Sequence, residues 1–380
     1  MDTTLHHDRY FESGRKFYQG SVPVAVLQGT WYQMGRQYGA LMRKELEKVY
    51  AFACAHQEGF ANLGRLGVPG DPSSMTGLHR YDELFRGMSE TSSLSMEQLR
   101  VVNAVEVICL DPVSADLKTI FDASKCSTLA VNGATSATGK TLVGRNYDWL
   151  PEFAQIADTL VLSIFHPADG SNAVASFNWC GCMYLTTGMN SRGLYLGLNS
   201  GFFADSNVAP ERIHNVWMLW EMLLSCDTFS ALKRFFNTAR GAASYLILGA
   251  SACESECFQW HTKGMWIPGP RSGDLLCAAN HFASEGWKND PIAESPDLAS
   301  SVQRRKNLLA LGQQYPSIGV QEMTEILSVP FARGGAKVSG TLFQILASPS
   351  DQVWYIKSCC MEDWAQIPMF NLLRGNVELV

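Results

Sequence analysis

The sequence predicts an α+β fold in which helices pack against a large antiparallel sheet system. Two observations support this class. Residues 30–57 and 95–110 carry apolar side chains at helical spacing, whereas residues 127–200 contain short runs rich in β-branched and aromatic residues, separated by Gly and Asn turns. Beyond residue 200, runs of helical and strand pattern follow one another to the end of the chain.

The first 125 residues are predicted to be mostly helical. Apolar side chains recur at helical spacing within residues 30–57, at Met34, Tyr38, Leu41, Met42, Leu46 and Tyr50. Residues 95–110 are predicted to form another helix, with Ser95 and Gln98 as a capping box at its start. Residues 67–77 are predicted to be a loop because they are rich in Gly and Pro.

The pattern changes to strands after Cys126. Six strands are predicted, within residues 127–133, 141–149, 158–166, 172–179, 183–190 and 193–200. A helical pattern returns in residues 212–237 and again in residues 300–314. Further strands are predicted within residues 244–251, 256–262, 341–350 and 353–358.

Composition limits the functional class. The 380-residue chain has 46% hydrophobic and 17% charged residues, which is typical of a globular protein of one large domain or two closely packed ones. A net charge of −6 provides no basic face for nucleic acid. We expect a cytoplasmic protein with mostly reduced cysteines, because the N-terminus lacks an apolar signal region and no run of about eighteen apolar residues occurs.

Residues 134–141 fit a relaxed phosphate-binding loop pattern, A-x-x-x-x-G-K-T. That mechanism requires a helix whose N-terminus faces the phosphate, but the residues that follow Lys140 have strand character. A hairpin turn between two strands is therefore the preferred interpretation. Nucleotide binding remains a minor alternative.

Two other catalytic or metal patterns are weaker. Zinc could be proposed from residues whose spacing matches no common structural site, namely Cys180, Cys182, Cys253, Cys257, His261 and His281. Buried thiols are the better interpretation, and we expect neither a metal nor a cofactor. Cys126 with His281 has the separation of a papain-like pair, but the papain signature is absent and strands follow where a helix is required.

The predicted hairpin after Cys126 places chemistry-bearing residues together. Its return strand carries Arg145 and Asp148, which an antiparallel arrangement can bring back beside Cys126. A thiol is a poor nucleophile at its free pKa of about 8.5, and an adjacent guanidinium favours the thiolate. A nearby carboxylate can orient an amine that acts as base. The alternative from these residues alone is a structural Arg–Asp pair beside a buried cysteine.

An ordered set of motifs accompanies this hairpin. The set comprises Gly29–Gly35 (GTWYQMG), Cys126-Ser127-Thr128, Gly144–Trp149 (GRNYDW), Gly188–Leu194 (GMNSRGL), Gly197–Asn199 (GLN), Asn280 within Ala279–Phe282, and Ser301-x-x-Arg304. Together they resemble the linear-amide hydrolase families of the N-terminal-nucleophile superfold: choloylglycine hydrolases, penicillin V acylases, acid ceramidase and, most closely, the isopenicillin N acyltransferase group. The elements span residues 29 to 305 in family order.

The resemblance implies an αββα sandwich with a helical pro-segment at residues 1–125 that stays docked as a subunit, and a catalytic chain at residues 126–380. It implies self-cleavage between Lys125 and Cys126, followed by attack of the Cys126 thiol on a small N-acyl compound. The implied catalytic residues are Cys126, Arg145, Asp148, Asn199 for the oxyanion, Asn280 and Arg304. We assign substrate contacts to Trp149, Tyr184 and Phe202, expect no membrane partner, and leave self-association open.

Two departures from the family pattern leave questions for the structure. Lys125 stands where Gly often precedes the nucleophile, and Asn307 stands where a second Arg often follows Arg304, so that Arg305 is an alternative to Arg304. Two other functions also stay open. One is acyl transfer from a coenzyme-A thioester or an amide to an amine, and the other is a non-catalytic small-molecule binding protein on the same fold.

Overall fold

The computed structural model describes residues 8–55, 79–108, 126–201, 204, 207, 209, 211–264, 266–288 and 296–375. The predicted loop at residues 67–77, the autocleavage residue Lys125 and the substrate-contact residue Phe202 lie outside the described residues. Within these ranges, two sheets and their flanking helices confirm the predicted α+β class.

The described part before Cys126 combines strands and helices. Its strands are β1 (Arg9–Phe11), β2 (Gly14–Gln19) and β3 (Val22–Gly29). Its helices are α1 (Trp31–Leu41), α2 (Arg43–Cys54), α3 (His79–Thr91), α4 (Met96–Asn103) and α5 (Val105–Ile108). Helices are present in the described residues after Gly29, but the three strands were not predicted, so a mostly helical segment over residues 1–125 stays a prediction.

Local signals explain where these helices begin and how closely they pack. The predicted capping box of Ser95 and Gln98 is present at α4, and Thr30 with Gln33 forms a second one at α1. Helices α1 and α3 pack closely because glycine leaves room: a Cβ at Gly35 would lie 2.0 Å from the carbonyl oxygen of Leu84.

The predicted strands after Cys126 are all present. They are β4 (Ser127–Val131), β5 (Leu142–Asp148), β6 (Leu160–Pro167), β7 (Val174–Trp179), β8 (Thr187–Asn190), β9 (Tyr195–Ser200), β10 (Tyr245–Ala250) and β11 (Ser255–Trp260). Then come β12 (Ile267–Pro268), β13 (Arg271–Ser272), β14 (Leu275–Ala278), β15 (Thr341–Ser348), β16 (Val353–Ser358) and β17 (Ala365–Pro368).

The helices of this part are α6 (Asn215–Ser225), α7 (Phe229–Thr238), α8 (Pro296–Gly312), α9 (Val320–Ser328) and α10 (Met369–Leu373). They confirm the helical patterns predicted for residues 212–237 and 300–314.

The strands form two sheets. The first has the order β1-β2-β3-β6-β7-β8-β9-β10-β11-β12, and the second has the order β13-β14-β4-β5-β15-β16-β17. Strand β3 pairs with β6 in parallel, while the other ladders between the described strands are antiparallel. The first sheet therefore joins residues from both sides of Cys126.

The two sheets face each other, and helices cover their outer faces. Helices α8 and α9 pack on the second sheet against β4, β5, β14 and β15, while α1 and α6 pack on the first sheet against β3, β8 and β9. Side chains of β4 and β5 hydrogen-bond across to β8 and β9. This is the αββα sandwich that the sequence analysis expected. Strand β4 belongs to the second sheet, and its inner face is turned toward the first sheet.

Candidate active site

Cys126 lies directly before β4, on the inner face of the second sheet. The β4–β5 register places Thr128 opposite Arg145. Because alternate strand residues share a face, Cys126, Thr128 and Arg145 all point toward the first sheet. Cys126 is 3% exposed, and Nη2 of Arg145 lies 3.6 Å from its Sγ. The predicted return of Arg145 beside Cys126 is therefore present in the structure.

Asp148 reaches the same place at the end of β5. Its carbonyl oxygen lies 3.9 Å from Sγ of Cys126, and its Oδ1 accepts a hydrogen bond of 2.6 Å from Thr341. Residues i and i+3 of a regular strand face opposite sides, so Arg145 and Asp148 can both reach Cys126 only if β5 bulges or ends between them. Strand β5 does end at Asp148, and the bulge is on β15, where Leu342 is the extra residue opposite the Tyr147–Asp148 step.

Arg304 of α8 approaches Cys126 from the other side. Its fully buried guanidinium donates to the carbonyl oxygen of Cys126 (2.9 Å) and to Oδ1 of Asn280 (3.0 Å). It also lies 3.9 Å from Oδ2 of Asp148. Arg305, the alternative left open by the sequence, instead donates to the carbonyl oxygen of Cys277. Of the two arginines, the fold places Arg304 against Cys126.

The two predicted asparagines line the wall between the sheets. Nδ2 of Asn199 donates to the carbonyl oxygen of Ala279 (3.1 Å), and its Oδ1 accepts from Thr128 (3.3 Å). Nδ2 of Asn280 donates to the carbonyl oxygen of Ser200 (3.0 Å). The oxyanion role of Asn199 stays a prediction, because its amide nitrogen donates to the protein in this structure.

Burial and the neighbouring charges shift the pKa of the Cys126 thiol in opposite directions. Burial raises the pKa of the thiol; Arg145 and, more weakly, Arg304 lower it, while Asp148 raises it. Burial has the largest effect, so the thiol is neutral at neutral pH in this closed arrangement. Arg145 is the group best placed to favour the thiolate.

Replacing Arg145 with methionine tests that electrostatic assignment. We expect Arg145→Met to raise the pKa of the Cys126 thiol, because the nearest positive charge is removed while burial remains. Alkylation of Cys126 by iodoacetamide at pH 8 should slow by about tenfold or more, measured by mass spectrometry of the Cys126 peptide. An unchanged alkylation rate would show that the guanidinium does not govern this thiol.

Two of the three predicted substrate-contact residues, Tyr184 and Trp149, lie within the described residues. The Tyr184 side chain is buried, and its hydroxyl donates to Glu106 rather than facing an open pocket. Trp149 is half-buried and packs edge-on against Phe153, with ring centroids 6.5 Å apart. These residues therefore have structural partners in this form of the chain.

Sequence reasoning missed one residue at this site. Glu106 of α5 is buried between the sheets, and its carboxylate accepts hydrogen bonds from the side chains of Tyr147, Trp179 and Tyr184. No motif marks it, because a glutamate within a helical pattern looks like an ordinary surface residue. Only its position after the apolar residues Val102 and Val105 hinted that its helix is buried.

The alternative sites predicted from sequence have other structural explanations. Residues 132–141 join the antiparallel strands β4 and β5, so the hairpin interpretation is confirmed over the phosphate-binding loop. Strand β4 follows Cys126 where a papain-like enzyme needs a helix, and Nδ1 of His281 pairs with the Ser301 hydroxyl at 2.8 Å. Burial lowers the pKa of His281 to about 4.

The described ranges contain no group of three or more His, Cys, Asp and Glu side chains placed to hold a metal ion. Three of the cysteines offered as zinc ligands have separate hydrogen-bond partners. Sγ of Cys180 donates to the carbonyl oxygen of Met42, Sγ of Cys182 donates to that of Val102, and Sγ of Cys253 accepts from Lys140. No helix in the described residues is long and apolar enough to span a membrane.

Comparison with known proteins identifies relatives. The family model for acyl-coenzyme A:6-aminopenicillanic acid acyl-transferase matches residues 135–359, more than half of the 380-residue chain. The match includes Arg145, Asp148, Asn199, Asn280 and Arg304 but begins after Cys126. No curated protein sequence matches the chain.

Three solved structures are similar at low sequence identity. An N-acylethanolamine-hydrolyzing acid amidase ortholog from Caenorhabditis elegans is 14% identical, with 59% of this chain and 93% of that chain covered and a TM-score of 0.43. A variant of conjugated bile acid hydrolase from Clostridium perfringens is 12% identical (64% and 92% covered, TM-score 0.43). Penicillin V acylase from Agrobacterium tumefaciens is 11% identical (64% and 86% covered, TM-score 0.40).

Proposed function

Because the chain belongs to the acyl-coenzyme A:6-aminopenicillanic acid acyl-transferase family, whose members are N-terminal-nucleophile enzymes, we propose that it is a self-processing cysteine amidohydrolase. Membership makes the chain an amide hydrolase or acyltransferase; the nucleophile, the cleavage and the substrate are our proposals. One observation carries the nucleophile assignment: Arg145, Asp148 and Arg304 converge on Cys126 from β5 and α8.

The proposed maturation uses Cys126 against its own peptide bond. Sγ attacks the carbonyl carbon of Lys125, the Lys125–Cys126 amide bond breaks, and the nitrogen of Cys126 takes up a proton. The resulting thioester is hydrolysed by water, which leaves a carboxylate on Lys125 and a free thiol and α-amine on Cys126. The hydrogen bond from Arg304 to the Cys126 carbonyl oxygen supports this step by fixing the backbone of the nucleophile.

The proposed turnover uses the released amine as a base. An α-amine has a pKa of about 7.7–8.0, close to working pH, so it can accept the thiol proton. The thiolate then attacks the carbonyl carbon of a small N-acyl substrate, the amine product leaves with a proton, and water hydrolyses the acyl-enzyme. Asp148 would hold the α-amine, Arg145 would favour the thiolate, and Asn199 would stabilise the oxyanion.

Acyl transfer is the second candidate. The same acyl-enzyme would form from an amide or a coenzyme-A thioester, and an amine would take the acyl group in place of water. The family name favours it, since that name describes transfer from acyl-coenzyme A. Adding an acceptor amine to the assay separates the two outcomes, because only the transferase converts the acyl-enzyme into a new amide.

Intact-mass spectrometry tests the processing proposal. We expect purified, active protein to consist of two associated chains of roughly 14 and 28 kDa, scaled by residue number from 41.9 kDa. N-terminal sequencing of the larger chain should begin Cys-Ser-Thr. A fully active, uncut chain would rule out processing as a requirement. An uncut chain without thiol reactivity would favour the non-catalytic binding protein.

A further inference from the structure

The Glu106 carboxylate has an unusual position for a residue that precedes the proposed cleavage site. It is 6% exposed, and the three side chains that donate hydrogen bonds to it all come from residues after Cys126. Oε1 accepts from the Tyr147 hydroxyl and from Nε1 of Trp179 (3.2 Å), while Oε2 accepts from the Tyr184 hydroxyl. Three donors from β5, β7 and the β7–β8 connection thus converge on one carboxylate.

One of these donors leads directly to the nucleophile. Tyr147 and Arg145 are alternate residues of β5 and share its inner face. The Arg145 guanidinium carbon lies 4.9 Å from the centroid of the Tyr147 ring, and Nη2 lies 3.6 Å from Sγ of Cys126. The Tyr147 ring also stacks on the Phe343 ring, with the ring centroids 4.4 Å apart. Glu106 fixes the far end of this ring, at its hydroxyl.

We propose that Glu106 is a positioning residue of the active site, contributed by the pro-segment, and that it holds the Arg145 guanidinium against the Cys126 thiol through the Tyr147 ring. The inference rests on the proposed function, because it gives the pro-segment a part in that same site. It follows that the small chain is needed after cleavage as well as before it.

The energetics support an active-site role over simple packing. A buried carboxylate is strongly disfavoured unless it is hydrogen-bonded, so an apolar residue would serve packing better at this position. Burial raises the pKa of the Glu106 carboxyl, and hydrogen bonds from Tyr147, Tyr184 and Trp179 oppose that shift, as does the charge of Arg145. Tyr245 also lies within electrostatic range of the carboxyl.

The test compares Glu106→Leu and Glu106→Gln with wild type in the full-length chain. The readout is the pH profile of Cys126 alkylation by iodoacetamide, resolved to the Cys126 peptide by mass spectrometry. We expect Glu106→Leu to slow alkylation at pH 8 by about tenfold and to move the profile to higher pH, as Arg145→Met does. Glu106→Gln should stay near wild type, because its amide oxygen still accepts from Tyr147 and Trp179.

Two further variants make the test specific. Glu45→Gln is the matched control, since Glu45 is also a pro-segment carboxylate but pairs with Lys16 at 2.5 Å; its profile should not move. The double variant Glu106→Leu with Arg145→Met should be no slower than Arg145→Met alone, because both act through the same guanidinium. If Glu106→Leu does not fold, Tyr147→Phe should shift the profile in the same direction by a smaller amount.

The proposal would be overturned if Glu106→Leu, or Tyr147→Phe where that variant is used, had the wild-type pH profile of Cys126 alkylation. It would also be overturned if the effects of Glu106→Leu and Arg145→Met on the alkylation rate were fully additive in the double variant. The readout needs neither cleavage nor turnover. A chain that is never cut and never hydrolyses an amide would therefore overturn the proposed function, while the alkylation profiles would still decide the role of Glu106.

Discussion

Cys126→Ala is expected to abolish both self-cleavage and amide hydrolysis and to leave a single folded chain of 41.9 kDa. The reason is that Sγ of Cys126 is the atom on which Arg145 and the end of β5 converge, and alanine supplies no nucleophile. The fold should persist, because the substitution removes one buried atom. Gel electrophoresis, a thermal melt and hydrolysis of an N-acyl substrate panel measure the three outcomes.

The control for this variant is another buried thiol. Cys182 is 5% exposed against 3% for Cys126, and its Sγ donates to the carbonyl oxygen of Val102. Cys182→Ala should therefore be cut and active. If Cys126→Ala is still cut, or if a zinc chelator inactivates the enzyme while Cys126→Ala does not, the nucleophile has been placed wrongly.

Asp148→Asn is expected to lower kcat by about 10²-fold or more, because the mature enzyme would lose the carboxylate that holds the amine beside the thiol. The substitution keeps the shape of the side chain and removes its charge. Asp148 is 1% exposed and lies 3.9 Å from the fully buried Arg304, so the variant should also lose stability, by about 3 kcal/mol for a broken buried pair. kcat is measured well below the melting temperature.

Thr341→Val separates the two effects of Asp148. It removes the 2.6 Å hydrogen bond to Oδ1 and leaves the negative charge in place. We expect Thr341→Val to lose part of the stability and to keep most of the turnover. If Asp148→Asn melts at a lower temperature yet turns over normally, Asp148 and Arg304 form a structural pair and the assignment of the amine fails.

The sequence located those residues of the candidate site that are close together along the chain or that belong to a family motif. Cys126, Arg145 and Asp148 lie on one hairpin, where antiparallel pairing brings Arg145 beside Cys126 and the end of β5 at Asp148 brings the third residue there. Arg304 lies 178 residues from Cys126, and only the family resemblance selected it; the choice against Arg305 required the structure, which turns Arg305 toward Cys277.

The parts that were missed depend on distant contacts. Glu106 meets Tyr147 and Tyr184 across 41 and 78 residues, and no local pattern predicts such a meeting. The aromatic side chain of Tyr184 gives no sign of this partner in the sequence, and its assignment to substrate stays a prediction. Strands β1–β3 were different, because the apolar run at residues 22–27 was a readable strand signal that received no assignment.

The parallel pairing of β3 with β6 joins the two sides of the proposed cut within one sheet. Without residues 9–29, the apolar strand β6 would become a long exposed edge whose backbone groups could pair with other molecules. Stripping the small chain from the large one should therefore lead to aggregation rather than to a soluble catalytic half. The proposed cut must therefore follow folding, and expression of residues 126–380 alone should give insoluble protein.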